Sequence, residues 1–256
     1  MRDPAVLIRS YRSRERRLKG GGSVKVEIWS DVICPWCYIG KRRFEAALAR
    51  FPQGPEVEVV WRSFELDPDA PAHRQESLEQ MLSAKYGMTV AQARAANDRV
   101  TGLAAAEGLE YRLGVARPGN TFDAHRLLHL AARRGVQGAL KERLFRAYFT
   151  EGEPIGEPEA LVRLAAEAGI DAEEARVVLE SGAYAGEVRA DEEDAAALGA
   201  QGVPFFVIDR AFGVSGAQPA DVLLRALRQA WPAAHPLQAV DGAAAGDVCS
   251  DDGCKV

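Results

Sequence analysis

"VKVEIWSDVICPWCYIGKRRFE", Val24 to Glu45, sets a strand pattern, a close pair of cysteines and a helix pattern end to end. Val24, Val26 and Ile28 alternate with Lys25 and Glu27, a period of two that predicts a strand. Beyond the cysteines, Phe44, Ala47, Leu48 and Phe51 recur at helical spacing, so a helix from about Pro35 presents one apolar face and stops before Pro52. The following run "VEVVWRSFELDP" is β-branched and aromatic and ends at Pro68. It completes a strand, helix, strand unit, for which a parallel pair is expected.

The pair itself is C-x-x-C just past a strand. That arrangement puts Cys34 at a helix N-terminus, where unpaired amides and the helix dipole favour a thiolate. Cys34 is therefore the expected nucleophile, with a pKa lowered from about 8.5 towards neutrality. Cys37, one turn further in, is the expected resolving thiol. Pro35 suits the first helical turn, and Trp36 offers an apolar ridge beside the reactive sulfur. A structural disulfide or half of a zinc site would use the same spacing, but the flanking strand and helix favour redox chemistry.

The rest of the chain divides by pattern. Residues 1–23 are rich in arginine and lack the apolar stretch and cleavage site of a secretory signal; they read as a basic, disordered arm, or as a segment upstream of a start at Val24. Residues 24–76 hold the first strand, helix, strand unit. Residues 77–198 read as a helical block: Ser77 with Gln80, Thr89 with Gln92 and Asp171 with Glu174 resemble capping boxes, and Gly135 and Gly169 stand where helices end. Residues 199–232 supply "VPFFVID" and "AFGVSGA", two short strands about a turn at Asp209-Arg210, then a helix from Pro219 to Trp231 that Pro232 ends. Residues 233–256 read as a flexible tail carrying a second pair, Cys249 and Cys254, in "CSDDGC".

Composition bounds the function. The 256 residues are 47% apolar and 27% charged, with a formal net charge of −5, which gives no basic field for nucleic acid. No apolar run is long enough to cross a membrane. Four cysteines in two close pairs suit a reducing compartment, so a cytoplasmic location is expected.

The opening stretch, together with "WRSFELDP", "GNTFDAHRLLHLA" and "GVPFFVIDRAFGVSGAQP", resembles the DsbA family of thioredoxin-fold oxidoreductases, most closely its FrnE-type branch. The resemblance covers about Val24 to Trp231. It implies an α/β fold in which a thioredoxin fold is interrupted by a helical insertion domain, acting as a thiol-disulfide oxidoreductase or isomerase on disulfide-bearing proteins or small thiols such as glutathione, without a cofactor. It implies that Val203-Pro204 is a cis bond facing the active-site sulfur and that Asn120, His125 and Arg126 border the substrate groove; with Val203, Pro204 and the Trp36 ridge they are the candidate substrate contacts. From the residues alone, Asn120 is a helix N-cap with Asp123 at N3, and His125 reads as a structural histidine. Trp36 replaces the histidine of periplasmic DsbA-type enzymes, which predicts a less oxidising centre.

Two other classes remain open at this stage. Relatives that act as glutathione-dependent isomerases of small aromatic acids, the 2-hydroxychromene-2-carboxylate isomerase type, resemble the chain in "NTFDAHR" but usually carry serine at the first cysteine position. A non-enzymatic zinc module would join Cys34, Cys37, Cys249 and Cys254. The tail pair departs from the usual family pattern and is read as a second redox pair, against the plainer reading of incidental thiols.

Overall fold

Strand β1 (Lys25–Ser30) is buried on both of its faces, because it lies between two strands and helices cover the sheet on either side. The structure, a computed structural model, describes residues 24–234. Strand β2 (Glu58–Ser63) runs parallel to β1, with Ile28 opposite Trp61. Strand β3 (Phe205–Ile208) lies antiparallel on the other side of β1, with Ile28 opposite Phe206, and β4 (Phe212–Ser215) closes the sheet in the order β2-β1-β3-β4. The parallel unit and the C-terminal hairpin are the ones the sequence pattern predicts. The hairpin turn at Asp209 and Arg210 has both residues at positive φ, 48° and 55°. Such a turn matches the strands' right-handed twist. Arg210 is held there by ion pairs to Glu27 and Asp194.

Helix α1 (Pro35–Ala49) lays Phe44 and Ala47 against one face of the sheet, where Val26, Ile28 and Phe206 meet them. Phe51, just past its end, joins the same cluster. Each such aromatic or aliphatic side chain contributes about 1.5–3 kcal/mol by leaving water. On the opposite face, Trp29 packs on Phe205 and Ala195. Glu27 alternates onto this second face, and here the simple strand pattern misleads. The residue is 3% exposed, because Arg62 of β2 and Arg210 of the hairpin turn neutralise it.

Between β2 and β3 the described chain is helical: α2 (Leu78–Tyr86), α3 (Val90–Ala106), α4 (Phe122–Arg133), α5 (Gln137–Arg146), α6 (Pro158–Glu167), α7 (Ala172–Glu180) and α8 (Ala185–Ala197). The Ser77 and Thr89 capping boxes are complete, whereas Asp171 accepts from the Glu173 and Glu174 amides without a reciprocal bond from the Glu174 side chain. Gly135 and Gly169 sit at φ 73° and 93°, the left-handed conformation that ends a helix. The block is anchored to the sheet by α8, where Trp29 Nε1 donates to the Asp191 carbonyl at 2.7 Å and the Asp191 carboxylate takes the Ser63 amide at 2.8 Å.

Helix α9 (Ala220–Ala234) returns to the first face beside α1. Pro232 does not end it, contrary to expectation, but lies inside its last turn. There the missing N–H forfeits one terminal bond, while Leu223, Leu224, Leu227 and Ala230 stay buried and Trp231 meets Phe51 edge-on at 5.7 Å. Among the described residues no helix is long and apolar enough to cross a membrane. The basic segment 1–23, Cys249 and Cys254 lie outside the described residues.

Candidate active site

Cys34 occupies the N-cap of α1 in an extended conformation, with Pro35 as the first helical residue. Its amide donates to the Asp31 carbonyl at 3.2 Å, and the Cys37 amide donates to the Cys34 carbonyl at 3.0 Å, which folds both sulfurs onto one turn. Both thiols are free and buried, Cys34 at 3% exposure and Cys37 at 1%. Trp36 points outward at 43% and is the exposed surface of the motif.

Across from Cys34 stands the loop entering β3. The Val203–Pro204 peptide is cis, and the Cys34 thiol donates to the Val203 carbonyl at 3.5 Å. Two contacts seat this loop: the Gly216 amide donates to the Pro204 carbonyl at 2.8 Å, and Gly40 of α1 lies so close that a Cβ there would meet the Pro204 ring at 2.9 Å. A glycine one turn past Cys37 is thus what admits the proline. From the helical block, the Tyr111 hydroxyl donates to the Pro35 carbonyl at 2.7 Å.

Behind the thiols lies a charged cluster with no exposed surface. The Asp31 carboxylate accepts from the Leu66 amide at 2.8 Å and faces His125 Nε2 at 3.3 Å. Burial opposes its ionisation, yet His125, the Leu66 amide and the charge of Lys141 hold it below the ordinary range. Burial also pushes His125 down, against the pull of Asp31. The pair is therefore an ionised carboxylate hydrogen-bonded by a neutral imidazole, and His125 Nδ1 has no partner among the described residues.

This environment corrects the expected acidity of Cys34. The hydrogen-bonded Cys37 sulfur, then burial, then the Asp31 carboxylate push its thiol up instead of towards neutrality. The helix N-terminus is present, but the hydrogen-bonded Cys37 sulfur, the exclusion of water and the Asp31 charge outweigh it.

The structure brings Cys34, Cys37, Trp36, Val203 and Pro204 to one place and treats the three remaining described candidates differently. Asn120 is not the N-cap of α4; Thr121 is, without a side-chain cap bond. Asn120 sits one residue earlier, accepting from the Phe122 amide at 2.8 Å and donating to the Pro68 carbonyl at 3.2 Å, which ties the helix to the loop after β2. His125 is wholly enclosed and offers no surface to a substrate. Arg126 caps the loop before α8 through the carbonyls of Val178, Ser181 and Ala183. Asp31 and Lys141 went unread in the sequence. Asp31 lies three residues before Cys34, a position that could have raised suspicion, but a lysine in "GALKERLF" reads as a solvent-facing helix residue.

A family model described as a DSBA-like thioredoxin domain matches residues 25–228. A probable DsbA oxidoreductase from Streptomyces coelicolor is 54% identical, superposes with a TM-score of 0.80, and the match covers 91% of this chain and 99% of that one. The uncharacterized protein YwbO of Bacillus subtilis is 29% identical over 163 residues, 63% of this chain and 74% of its own length. The cytosolic disulfide reductase DsbM from Pseudomonas aeruginosa, also solved with GSH, shares the fold at 18% identity and a TM-score of 0.55, covering 80% of this chain and 98% of that one.

Proposed function

The chain belongs to the DSBA-like thioredoxin domain family, and from that premise we propose that it is a thiol-disulfide oxidoreductase acting through Cys34 and Cys37, of the FrnE-type branch. The observation that carries this reading is a pair of free thiols on the first turn of α1, the outer one 3.5 Å from the Val203 carbonyl. Cys34 as thiolate attacks one sulfur of a substrate disulfide; a bond forms between Cys34 and that sulfur, and the other leaves as a thiolate. The leaving thiolate takes the Cys37 proton. Cys37 then attacks the Cys34 sulfur, the substrate bond breaks, and the enzyme disulfide remains. Val203, Pro204 and Trp36 line the approach, so an extended peptide or glutathione is the fitting partner.

In a reducing cytoplasm, the compartment the cysteine usage suits, such a centre stays largely reduced and works as a reductase or isomerase. The probable DsbA oxidoreductase of Streptomyces coelicolor, at 54% identity, supports the chemistry. Cys249 and Cys254, outside the described residues, are proposed as a second redox pair that exchanges with Cys34.

The test is reduction of insulin and of glutathione disulfide by the full chain. Cys34→Ser should abolish both. A Cys34→Ser protein that still isomerises a small aromatic acid with glutathione would replace this reading with the isomerase one. For the tail, Cys37→Ala under mild oxidation should trap Cys34 joined to Cys249 or Cys254. The tail proposal fails if peptide mapping finds no cross-link and a chain ending at Ala234 turns over as fast as the full one.

A further inference from the structure

Lys141 on α5 has no exposed surface, although its sequence surroundings are those of a solvent-facing helix. Its ammonium donates to the Ser30 carbonyl at 3.1 Å and lies over the rings of Trp61 and Phe145, 5.6 and 5.0 Å away. Among the described residues no carboxylate forms an ion pair with it. A buried charge with no carboxylate in contact is expensive, and proteins keep one chiefly where it acts.

Its position relates it to the dithiol. Phe145, one turn along the same face of α5, stacks on Tyr38, the residue after Cys37, at 4.7 Å. Ser30 immediately precedes Asp31, whose carbonyl holds the Cys34 amide. The ammonium is therefore set between the end of β1 and the first turn of α1. The ionisable groups facing it are, in order of strength, Cys37, Asp31 and Cys34, of which the Asp31 carboxylate carries charge in the resting site. From α4 comes His125, which is neutral, while β2 contributes the Trp61 ring. Burial pushes Lys141 down to about 8, against the upward pull of those three groups, so it remains mostly charged at neutral pH.

We propose that Lys141 is a positioning residue for the resolving step, its ammonium stabilising the negative charge that the Cys37 sulfur must carry to attack the mixed disulfide. The inference rests on the dithiol reading above. When Cys34 is joined to substrate, the first leaving thiolate has taken the Cys37 proton and departed as a neutral thiol, so the negative charge now rests on the Cys37 sulfur. Burial then opposes the new thiolate, and Lys141 is the buried cation facing it. Cys37 attacks Cys34, the second substrate thiolate departs, and Lys141 keeps its proton throughout. The thioredoxin half thus draws its counter-charge from a helix of the inserted block.

The experiment follows the mixed disulfide formed with glutathione disulfide, using mass spectrometry after acid quenching at a series of pH values. Lys141→Met should accumulate that species, resolve it about tenfold more slowly at pH 7, and move the pH profile of resolution up by about one unit. Lys141→Arg, which keeps the charge, should restore most of the rate. A second measurement uses the wild-type chain: the ε-carbon NMR titration of Lys141 should have its midpoint near 8 when the thiols are reduced and fall in the disulfide form, since linkage is reciprocal. Wild-type resolution in Lys141→Met, or one midpoint in both redox states, overturns the proposal. If the wild-type chain forms no mixed disulfide, the dithiol function fails instead, and the NMR comparison still decides the role of Lys141.

Discussion

Gly40 offers a prediction in which two known effects oppose each other. Alanine in place of a helical glycine ordinarily stabilises by about 0.5–1 kcal/mol, because it restricts the unfolded chain. At Gly40 the new methyl would stand 2.9 Å from the Pro204 ring, 3.5 Å from the Phe206 ring and 3.6 Å from the Ala217 methyl. The first distance is about half an ångström inside van der Waals contact. Pro204 is a ring clamped by the Gly216 amide, with no rotamer to yield, and overpacking of this kind costs about 1–3 kcal/mol. The control is Gly102 in α3, where nothing lies within 4 Å of an added methyl. Urea and thermal unfolding of the reduced protein should show Gly102→Ala gaining about 0.5–1 kcal/mol and Gly40→Ala falling about 1–3 kcal/mol below it. For a chain of this size that separation is roughly 2–12 °C in Tm. Equal stabilisation of the two variants would refute the argument, since it would mean Pro204 does not rest on Gly40.

Two further outcomes are expected. Trp36→His restores a cationic neighbour to Cys34 and should raise the reduction potential, with the wild-type value below about −120 mV; glutathione equilibration measures both, and a wild-type value at or above that figure contradicts the reasoning. Glu65, with a side chain of zero exposure, is pushed up to about 7 by burial, with Arg189 opposing and Glu192 and Asp31 adding to the rise. Between about 4.5 and 7 its native state holds a proton that the unfolded chain releases, so stability falls as pH rises across that window. Glu65→Gln should flatten this decline and gain on the order of 1–3 kcal/mol at pH 8. A pH dependence identical to wild type would remove Glu65 as its source.

What the sequence made legible follows from how local the signals are. The strand, helix, strand unit, the hairpin at Asp209-Arg210 and the helical block are each specified by neighbours within a few residues, and each is found where the pattern puts it. The cysteine pair is equally local. Glu27 and Lys141 were opaque because their burial depends on partners far along the chain, Arg62 and Arg210 for one, the Ser30 carbonyl and two aromatic rings for the other. The Cys34 acidity was misread for a related reason. A helix N-terminus is visible in sequence, but the Asp31 charge and the exclusion of water are properties of the assembled core. Pro232 failed as a stop signal because it removes a single N–H bond two residues from the helix end, while the burial of Leu223, Leu224, Leu227 and Ala230 holds the helix in place.

The contact between Cys34 and Val203 joins residues 169 positions apart, on either side of the inserted helices. On a ribosome adding about 5–20 residues per second, Cys34 is made roughly 8–35 s before Val203 exists to meet it. For that interval β1 lacks β3, and the dithiol is an open pair of cysteines on a growing chain, able to be oxidised or captured by any disulfide nearby. A strongly oxidising medium during synthesis should therefore lower the yield of correctly closed protein before it affects the finished chain.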